Sequence, residues 1–151
     1  MRRLHILLIA LAVIVFLAIS AVLARVFSAD GAERAAITTL LRAEARGDQQ
    51  AMLAQIKNCG TSEQCRARVA ANVAALTHTG TVSILQLQPS TSFSLMSTLG
   101  TARVAWDVGN SLPIVQCVRV RRAGNAFSGL TIELLAISPR INSEADCPTT
   151  F

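Results

Sequence analysis

The most apolar part of the chain lies near its N-terminus, where residues 6–24 contain a single polar side chain, Ser20. A helix of this length spans about 28 Å, close to the ~30 Å hydrocarbon core of a bilayer. Arg2 and Arg3 precede the segment and Arg25 follows it. Because positive charge accumulates on the cytoplasmic side, the pattern predicts a single-pass anchor with a cytoplasmic N-terminus and an extracytoplasmic C-terminal domain.

A cleaved signal peptide is the alternative interpretation of this segment. The apolar core of a signal peptide normally runs about 7–15 residues before a small-x-small cleavage site. Val22-Leu23-Ala24 provides such a site, but the apolar segment is longer than that core. Its length therefore favours an uncleaved anchor in contact with membrane lipid, and both interpretations export residues 26–151.

Beyond the anchor, apolar residues recur at three- and four-residue spacing, which is typical of helices with one buried face. Three helices are predicted, with Asp30 capping the first, Asp48 the second, and the capping box Thr61-x-x-Gln64 opening the third. Their buried positions are predicted at Ala36, Ile37, Leu40, Leu41 and Glu44, then Met52, Leu53 and Ile56, then Cys65, Val69, Val73 and Leu76.

From Gly80 onward the pattern alternates at every second residue, the period of β-strands. Gly100 predicts a bulge or bend within the long extended region 91–108. Strands are predicted at 81–88, 91–108, 114–122 and 127–137. In the second of these, Ala102, Val104, Trp106 and Val108 alternate with Thr101, Arg103, Ala105 and Asp107.

This order of elements predicts an α+β fold: an N-terminal transmembrane helix, then three helices packed on a curved antiparallel sheet of four to five strands. We expect the cytoplasmic flank and anchor at 1–27, a linker at 28–32, the α+β domain at 33–137 and a C-terminal tail at 138–151. About 125 residues outside the membrane suffice for one hydrophobic core and not for two.

The stretch from Arg103 to Ile132 reads Val104-x-Trp106-x-Val108, a turn, then Cys117-Val-Arg-Val-Arg-Arg-Ala-Gly-Asn-Ala-Phe127 before an apolar strand. Together with the element order over residues 33–137, it resembles the nuclear-transport-factor-two-like superfamily, the cystatin-like cone fold. The resemblance implies two long strands joined by a glycine-containing turn before an aromatic residue, here Phe127. Members include isomerases, dehydratases, cyclases and non-enzymatic binding domains, so the fold alone does not select a function.

Four cysteines, an even number, lie in the part predicted to be exported, which fits an oxidising compartment. Of three possible pairings we favour Cys59–Cys65, which joins a turn to a helix start, and Cys117–Cys147, which joins the tail to a strand. The longer loop should stabilise the fold by about 3–4 kcal/mol. A zinc site is the alternative, but the spacing is not Cys-x-x-Cys and no histidine is near, so we predict no metal and no cofactor.

The candidates for acid–base catalysis are His78, Asp107 and Glu133. In cone-fold isomerases an acid on the sheet abstracts a proton and a tyrosine commonly donates to the oxyanion, but this chain contains no tyrosine. Strand alternation places both acids on the face of Arg103 and Thr131, away from the core, and His78 follows a helix end. We therefore predict solvated positions without catalytic function; an acid inside the cone would favour an isomerase.

The net charge of +5 falls to +2 outside the anchor, where 11 basic residues stand against 9 acidic ones. Arg119, Arg121 and Arg122 are predicted to form a basic strip next to Arg103 on the solvated outer face of the sheet. Contact of this strip with anionic lipid headgroups or an acidic partner is the alternative. One tryptophan, five phenylalanines and no tyrosine argue against stacking on single-stranded nucleic acid. Thirteen of the 14 basic residues are arginine, which favours a bacterial source with a GC-rich genome.

These patterns predict a membrane-anchored extracytoplasmic accessory or binding domain for a protein partner of the cell envelope or a small apolar ligand. The alternatives are a small-molecule isomerase or cyclase using Asp107 or Glu133, and a structural envelope spacer. An apolar cavity with one buried acid would favour the enzyme, and a filled core would favour the accessory domain.

The anchor can be tested through its topology. A reporter fused after Phe151 should be active outside the cytoplasm, because Arg2 and Arg3 hold the N-terminus inside. N-terminal sequencing of the mature protein should find the original N-terminus. A mature chain that starts at Arg25 would instead show that a signal peptide had been removed.

Overall fold

The structure, a computed structural model, describes residues 2–90, 96–125 and 129–151. Within these residues the chain forms helices α1 (Arg2–Ala45), α2 (Gln49–Gln55) and α3 (Glu63–Leu76), with a short 3-10 helix (Cys59–Thr61) before α3. Strands β1 (Val82–Gln88), β2 (Met96–Val108), β3 (Ile114–Asn125) and β4 (Gly129–Ile137) follow. The fold class is therefore α+β, with a four-stranded antiparallel sheet.

Helix α1 is continuous from the apolar segment into the folded domain. The predicted linker at 28–32 and the helix cap at Asp30 are therefore wrong, since both lie inside this helix. A single glycine, Gly31, costs a helix only about 1 kcal/mol relative to alanine. The side chain of Asp30 pairs with Arg122 of β3, so a tertiary contact holds the helix where its sequence suggested a break.

One helix, His5–Ala45, is long and apolar enough to cross a membrane. Its most apolar window has a mean hydropathy of 3.3 and none of it is buried inside the protein. The large apolar side chains of this part are instead exposed, including Phe16 at 68%. Within the described residues, no other part of the protein therefore covers this segment.

The caps of the two short helices are side chains next to turns. The carboxylate of Asp48 accepts from Ala51 N (3.0 Å), as predicted. The cap of α3 is Ser62, whose hydroxyl accepts from Cys65 N (3.3 Å). The predicted capping box beginning at Thr61 is wrong, because Thr61 belongs to the preceding 3-10 helix.

The four strands form an antiparallel meander in the order β1-β2-β3-β4. Ile84, Trp106 and Ile114 lie side by side across its first three strands. The bulge or bend predicted at Gly100 is wrong, since Gly100 pairs regularly with Val120. Glycine is required there because a Cβ atom would lie 2.2 Å from the carbonyl oxygen of Ser90.

The core lies between the inner face of the sheet and the helices. The predicted alternation in β2 is confirmed, since its four apolar positions are buried. Helices α1, α2 and α3 contribute apolar side chains to the same cluster. The fully buried members include Ile37, Leu40, Leu41, Met52, Val69, Ala102, Val104, Trp106, Val118 and Val120.

The C-terminal tail crosses the outer face of the sheet. The structure joins Cys117 to Cys147 and Cys59 to Cys65, the two pairs that the sequence favoured. Ile141 forms a β-bridge with Val115, and Phe151 stacks under Arg119 with its ring 5.0 Å from the guanidinium carbon. The outer face is thus partly covered by the chain's own tail.

Candidate functional site

Glu133, one of the predicted candidates, is engaged in surface ion pairs. Its carboxylate accepts from Lys57 and lies 3.3 Å from Arg121 Nε. The hydrogen bond from Lys57 lowers the pKa of Glu133 below its usual value of 4.5. A carboxylate held in its ionised form by two cations is a poor base at neutral pH.

Asp107 and His78 lie on other parts of the surface. Asp107 pairs with Ser83 across β1 and β2 and is half-buried, while His78 is exposed. The backbone amide of His78 donates to Ala45 O (2.9 Å) at the end of α1. None of the hydrogen bonds or ion pairs described joins these residues to each other or to Glu133, so the three candidates do not form one site.

A different acid, Glu44 of α1, is fully buried in the core. Its Oε1 accepts from Gln116 Nε2 of β3 (2.8 Å). The Oε1 of Gln116 in turn accepts from the indole Nε1 of Trp106 in β2 (2.8 Å). This chain of hydrogen bonds connects α1 to the two central strands.

The network extends to the end of β4 through Ser138. The backbone carbonyl of Ser138 accepts from Gln116 Nε2 (3.2 Å) and from Asn72 Nδ2 of α3 (2.9 Å). The hydroxyl of Ser138 accepts from the amide of Cys117 (2.8 Å). Five elements of the fold therefore meet at one polar cluster, which we call the Glu44 network: Glu44, Asn72, Trp106, Gln116 and Ser138.

Burial raises the pKa of Glu44 to about 7, and the amides of Gln116 and Asn72 oppose this shift. Its Oε2 is buried without a hydrogen-bond partner. A buried acid of this pKa can hold or release a proton near neutrality, as a general base must. However, Glu44 is fully buried and does not line the grooves beside Cys65, beside Lys57 or beside Leu112.

The sequence contains part of the signal for this network. Glu44 continues the buried spacing of Ile37, Leu40 and Leu41, and Gln116 alternates with Val118 on the inner face. What sequence reasoning missed was the contact between the two side chains, which are 72 positions apart.

A second buried cluster joins α1 to β3 at the other end of the domain. Arg122 Nη2 donates to Glu33 Oε2 (2.8 Å) and to Asp30 Oδ1 (2.6 Å), and Arg122 Nε also donates to Glu33 Oε2 (3.0 Å). The side chains of Arg122 and Glu33 are 1% and 0% exposed. The backbone amide and hydroxyl of Ser90 complete the hydrogen bonds to Glu33.

This position of Arg122 corrects the predicted basic strip. Arg122 is separated from Arg119 and Arg121 by the strand alternation and points inward. The other members are also engaged: Arg103 and Arg119 donate to backbone carbonyls of the tail, and Arg121 pairs with Glu133. The four arginines therefore hold the fold together and do not form a continuous free surface.

An open groove lies beyond the end of the sheet, at the turn between β2 and β3. It has a volume of about 440 Å³, and its lining includes Leu112, Pro113, Val115 and Ile141. Leu112 is 77% exposed, more than any other large apolar side chain among the described residues. We call this feature the distal groove.

Within the described residues, no three side chains of His, Cys, Asp or Glu converge on a point where a metal ion could bind. No protein family, curated protein or solved structure matches this chain. The resemblance to the nuclear-transport-factor-two-like superfamily stays a prediction, and the aromatic position Phe127 lies outside the described residues.

The two adjacent arginines of β3 provide a matched test of the buried cluster. Arg122→Ala should lower the free energy of unfolding by about 3–5 kcal/mol, because it leaves Glu33 charged and buried without a cationic partner. Arg121→Ala removes an exposed ion pair with Glu133 and should cost at most about 1 kcal/mol. Denaturant unfolding of the full chain in detergent, followed by Trp106 fluorescence, measures both. Equal losses of unfolding free energy in the two variants would contradict a larger structural contribution from Arg122 than from Arg121.

The Glu44 network should make stability depend on pH. Because the pKa of Glu44 is about 7 in the folded chain and near 4.5 when unfolded, the folded state holds a proton that the unfolded state releases between these values. The stabilisation from this bound proton is fully present below pH 4.5 and is lost as pH rises through 7. The free energy of unfolding should fall by on the order of 3 kcal/mol over this range.

Glu44→Gln should remove that part of the pH dependence, since the amide stays neutral. Glu144→Gln, at an exposed glutamate of the tail, is the control and should leave the dependence unchanged. Unfolding at a series of pH values from 4 to 8 compares the two variants with the parent. A parent and Glu44→Gln variant with parallel pH profiles would show that Glu44 does not carry a proton in the core.

Proposed function

We propose that this chain is a membrane-anchored extracytoplasmic binding domain, which presents the distal groove to a protein partner of the cell envelope. The apolar segment 6–24 crosses the bilayer once with the N-terminus in the cytoplasm. The exposed apolar side chains of this segment and the cysteine pairs confined to the remainder of the chain support this topology.

The observation that carries the proposal is the unbroken helix α1. It enters the core of the domain without a flexible joint, so the domain has a fixed height above the bilayer. Glu44 lies twenty residues beyond Ala24, which corresponds to about 30 Å along a helix. Because Gln116 contacts Glu44, the turn that carries Leu112 lies at or beyond this height.

The exposed side chain of Leu112 is suited to bury itself in a partner. An exposed leucine beside Pro113 and Ile141 forms a small apolar centre, and Arg140 and Asn142 provide a polar rim. Apolar centres with polar rims are typical of protein interfaces. A rigid stalk that holds such a surface about 30 Å from the membrane suits an accessory subunit of an envelope assembly.

The isomerase alternative is favoured by one observation, the raised pKa of buried Glu44. Its proposed base Glu133 is paired with Lys57 and Arg121, and Glu44 is enclosed by Gln116 and neighbouring core residues. Binding is therefore the function that the arrangement supports better.

Site-specific photocrosslinking in cells of the native source tests the proposal. A photoreactive phenylalanine analogue replaces Leu112 in one variant and Leu85 in a control variant, both at exposed leucines of the sheet region. We expect one discrete protein adduct from position 112 and none from position 85, with the adduct identified by mass spectrometry as an envelope protein. Equal labelling at both positions, or no adduct at 112, would contradict binding through the distal groove.

A further inference from the structure

The direction of β3 relative to α1 follows from the two buried clusters. Glu33 of α1 contacts Arg122, and Glu44, eleven residues further along the helix, contacts Gln116. Eleven helical residues span about 17 Å, and the six strand residues from Arg122 back to Gln116 span about 20 Å. Strand β3 therefore runs beside α1 in the opposite direction, towards the end of the helix that carries the apolar segment.

The height of the sheet end above the bilayer follows from the same contacts. Asp30 and Glu33 lie six and nine residues beyond Ala24, about 9 and 14 Å along the helix. Strand β3 continues past Arg122 to Asn125, about 10 Å closer to the bilayer. The end of β3 thus lies about 0–4 Å above the hydrocarbon boundary, within a headgroup layer about 5–7 Å thick.

The neighbouring strands end at the same level. Met96 of β2 pairs with Asn125, and Asn125 pairs with Gly129 of β4. The exposed side chain of Ser97 lies at this end of the sheet. On α1, Phe27 is 69% exposed about 5 Å above Ala24, which places an apolar side chain at the same depth.

We infer that this end of the sheet, formed by residues 96–98, 123–125 and 129–131, rests in the lipid headgroup layer of the membrane that holds the anchor. The inference rests on the proposed membrane anchor. The continuous helix leaves a gap of only a few ångströms between the sheet end and the hydrocarbon core. Lipid headgroups fill this gap, because it is too narrow for a protein domain. The position of the domain is then fixed by two contacts, one with helix α1 and one with the lipid headgroups.

The residues that form this surface, 96–98, 123–125 and 129–131, have no charged side chain. Arg122, farther from the bilayer, is paired with Glu33 and Asp30, so no charge of the buried cluster lacks a partner. Arg121, one residue earlier in β3, lies about 3 Å farther from the bilayer than Arg122 and is paired with Glu133 on the outer face.

Fluorescence quenching in vesicles measures this contact. The full chain is reconstituted in phosphatidylcholine–phosphatidylglycerol vesicles that contain a phosphatidylcholine with a nitroxide on its headgroup. Ser97→Trp places a probe at the predicted headgroup level, and Ser83→Trp places the same probe at the far end of the sheet, also at an exposed serine. Parent protein supplies the signal of Trp106 for subtraction.

We expect the emission of the probe at position 97 to be lost in nitroxide vesicles and that of the probe at position 83 to be retained. Inserting seven alanines between Phe27 and Ser28 raises the domain by about 10 Å with nearly the same rotation, and should restore emission at position 97. Unquenched emission at position 97 would overturn the inference, as would quenching that the insertion does not relieve.

Flotation of the vesicles separates this result from the anchor itself. Protein that floats with the vesicles after carbonate washing, but shows no quenching at position 97, retains the anchor and lacks the sheet–lipid contact. Protein that does not float would contradict the proposed anchor and with it this inference. Crosslinking of position 97 to a protein, in place of quenching by lipid, would assign the surface to a protein partner and also overturn it.

Discussion

The contact on which the remaining structure depends is the buried ion pair between Arg122 of β3 and Glu33 of α1. It lies at the point where the helix passes from the apolar segment into the domain, and Asp30 and Ser90 complete it. A buried ion pair adds little net stability compared with apolar packing, but a misplaced partner is costly. The pair therefore mainly determines how the helix and the sheet are placed, because the carboxylate of Glu33 meets the guanidinium of Arg122 in only one arrangement.

The Glu44 network adds a second fixed point eleven residues further along α1. Together the two clusters set the register of β3, since Gln116 and Arg122 must both face inward. A slip by one residue would turn Arg121 towards Glu33 and Cys117 into the core, which would also break the link to Cys147. Two polar contacts and one disulfide thus determine how the sheet lies against the helix and how the tail lies on the sheet.

Features that depend on the spacing of nearby residues could be predicted from the sequence. Alternation in β2 identified the buried face, and the positions of the cysteines in turn, helix, strand and tail favoured the two pairs that the structure joins. The linker at 28–32 was wrong because Ser, Asp and Gly are typical of breaks, whereas a contact with a residue 92 positions away keeps them helical. Arg122 was assigned to the outer face because it was grouped with neighbouring arginines against the alternation. The partner of Glu44 could not be predicted, since the pairing depends on the packing of the whole domain.

The most direct measurement of this architecture is hydrogen exchange of the backbone amides at residues 28–34 in the full chain in lipid nanodiscs. A continuous helix fixed by Arg122 predicts slow exchange through Ser28, Asp30 and Gly31, comparable to that of the α1 residues packed in the core. In the Arg122→Ala variant, exchange in this segment should accelerate while the apolar segment stays protected. Exchange at the rate of an unstructured chain in the parent protein would show a flexible linker and contradict the rigid connection between the apolar segment and the domain.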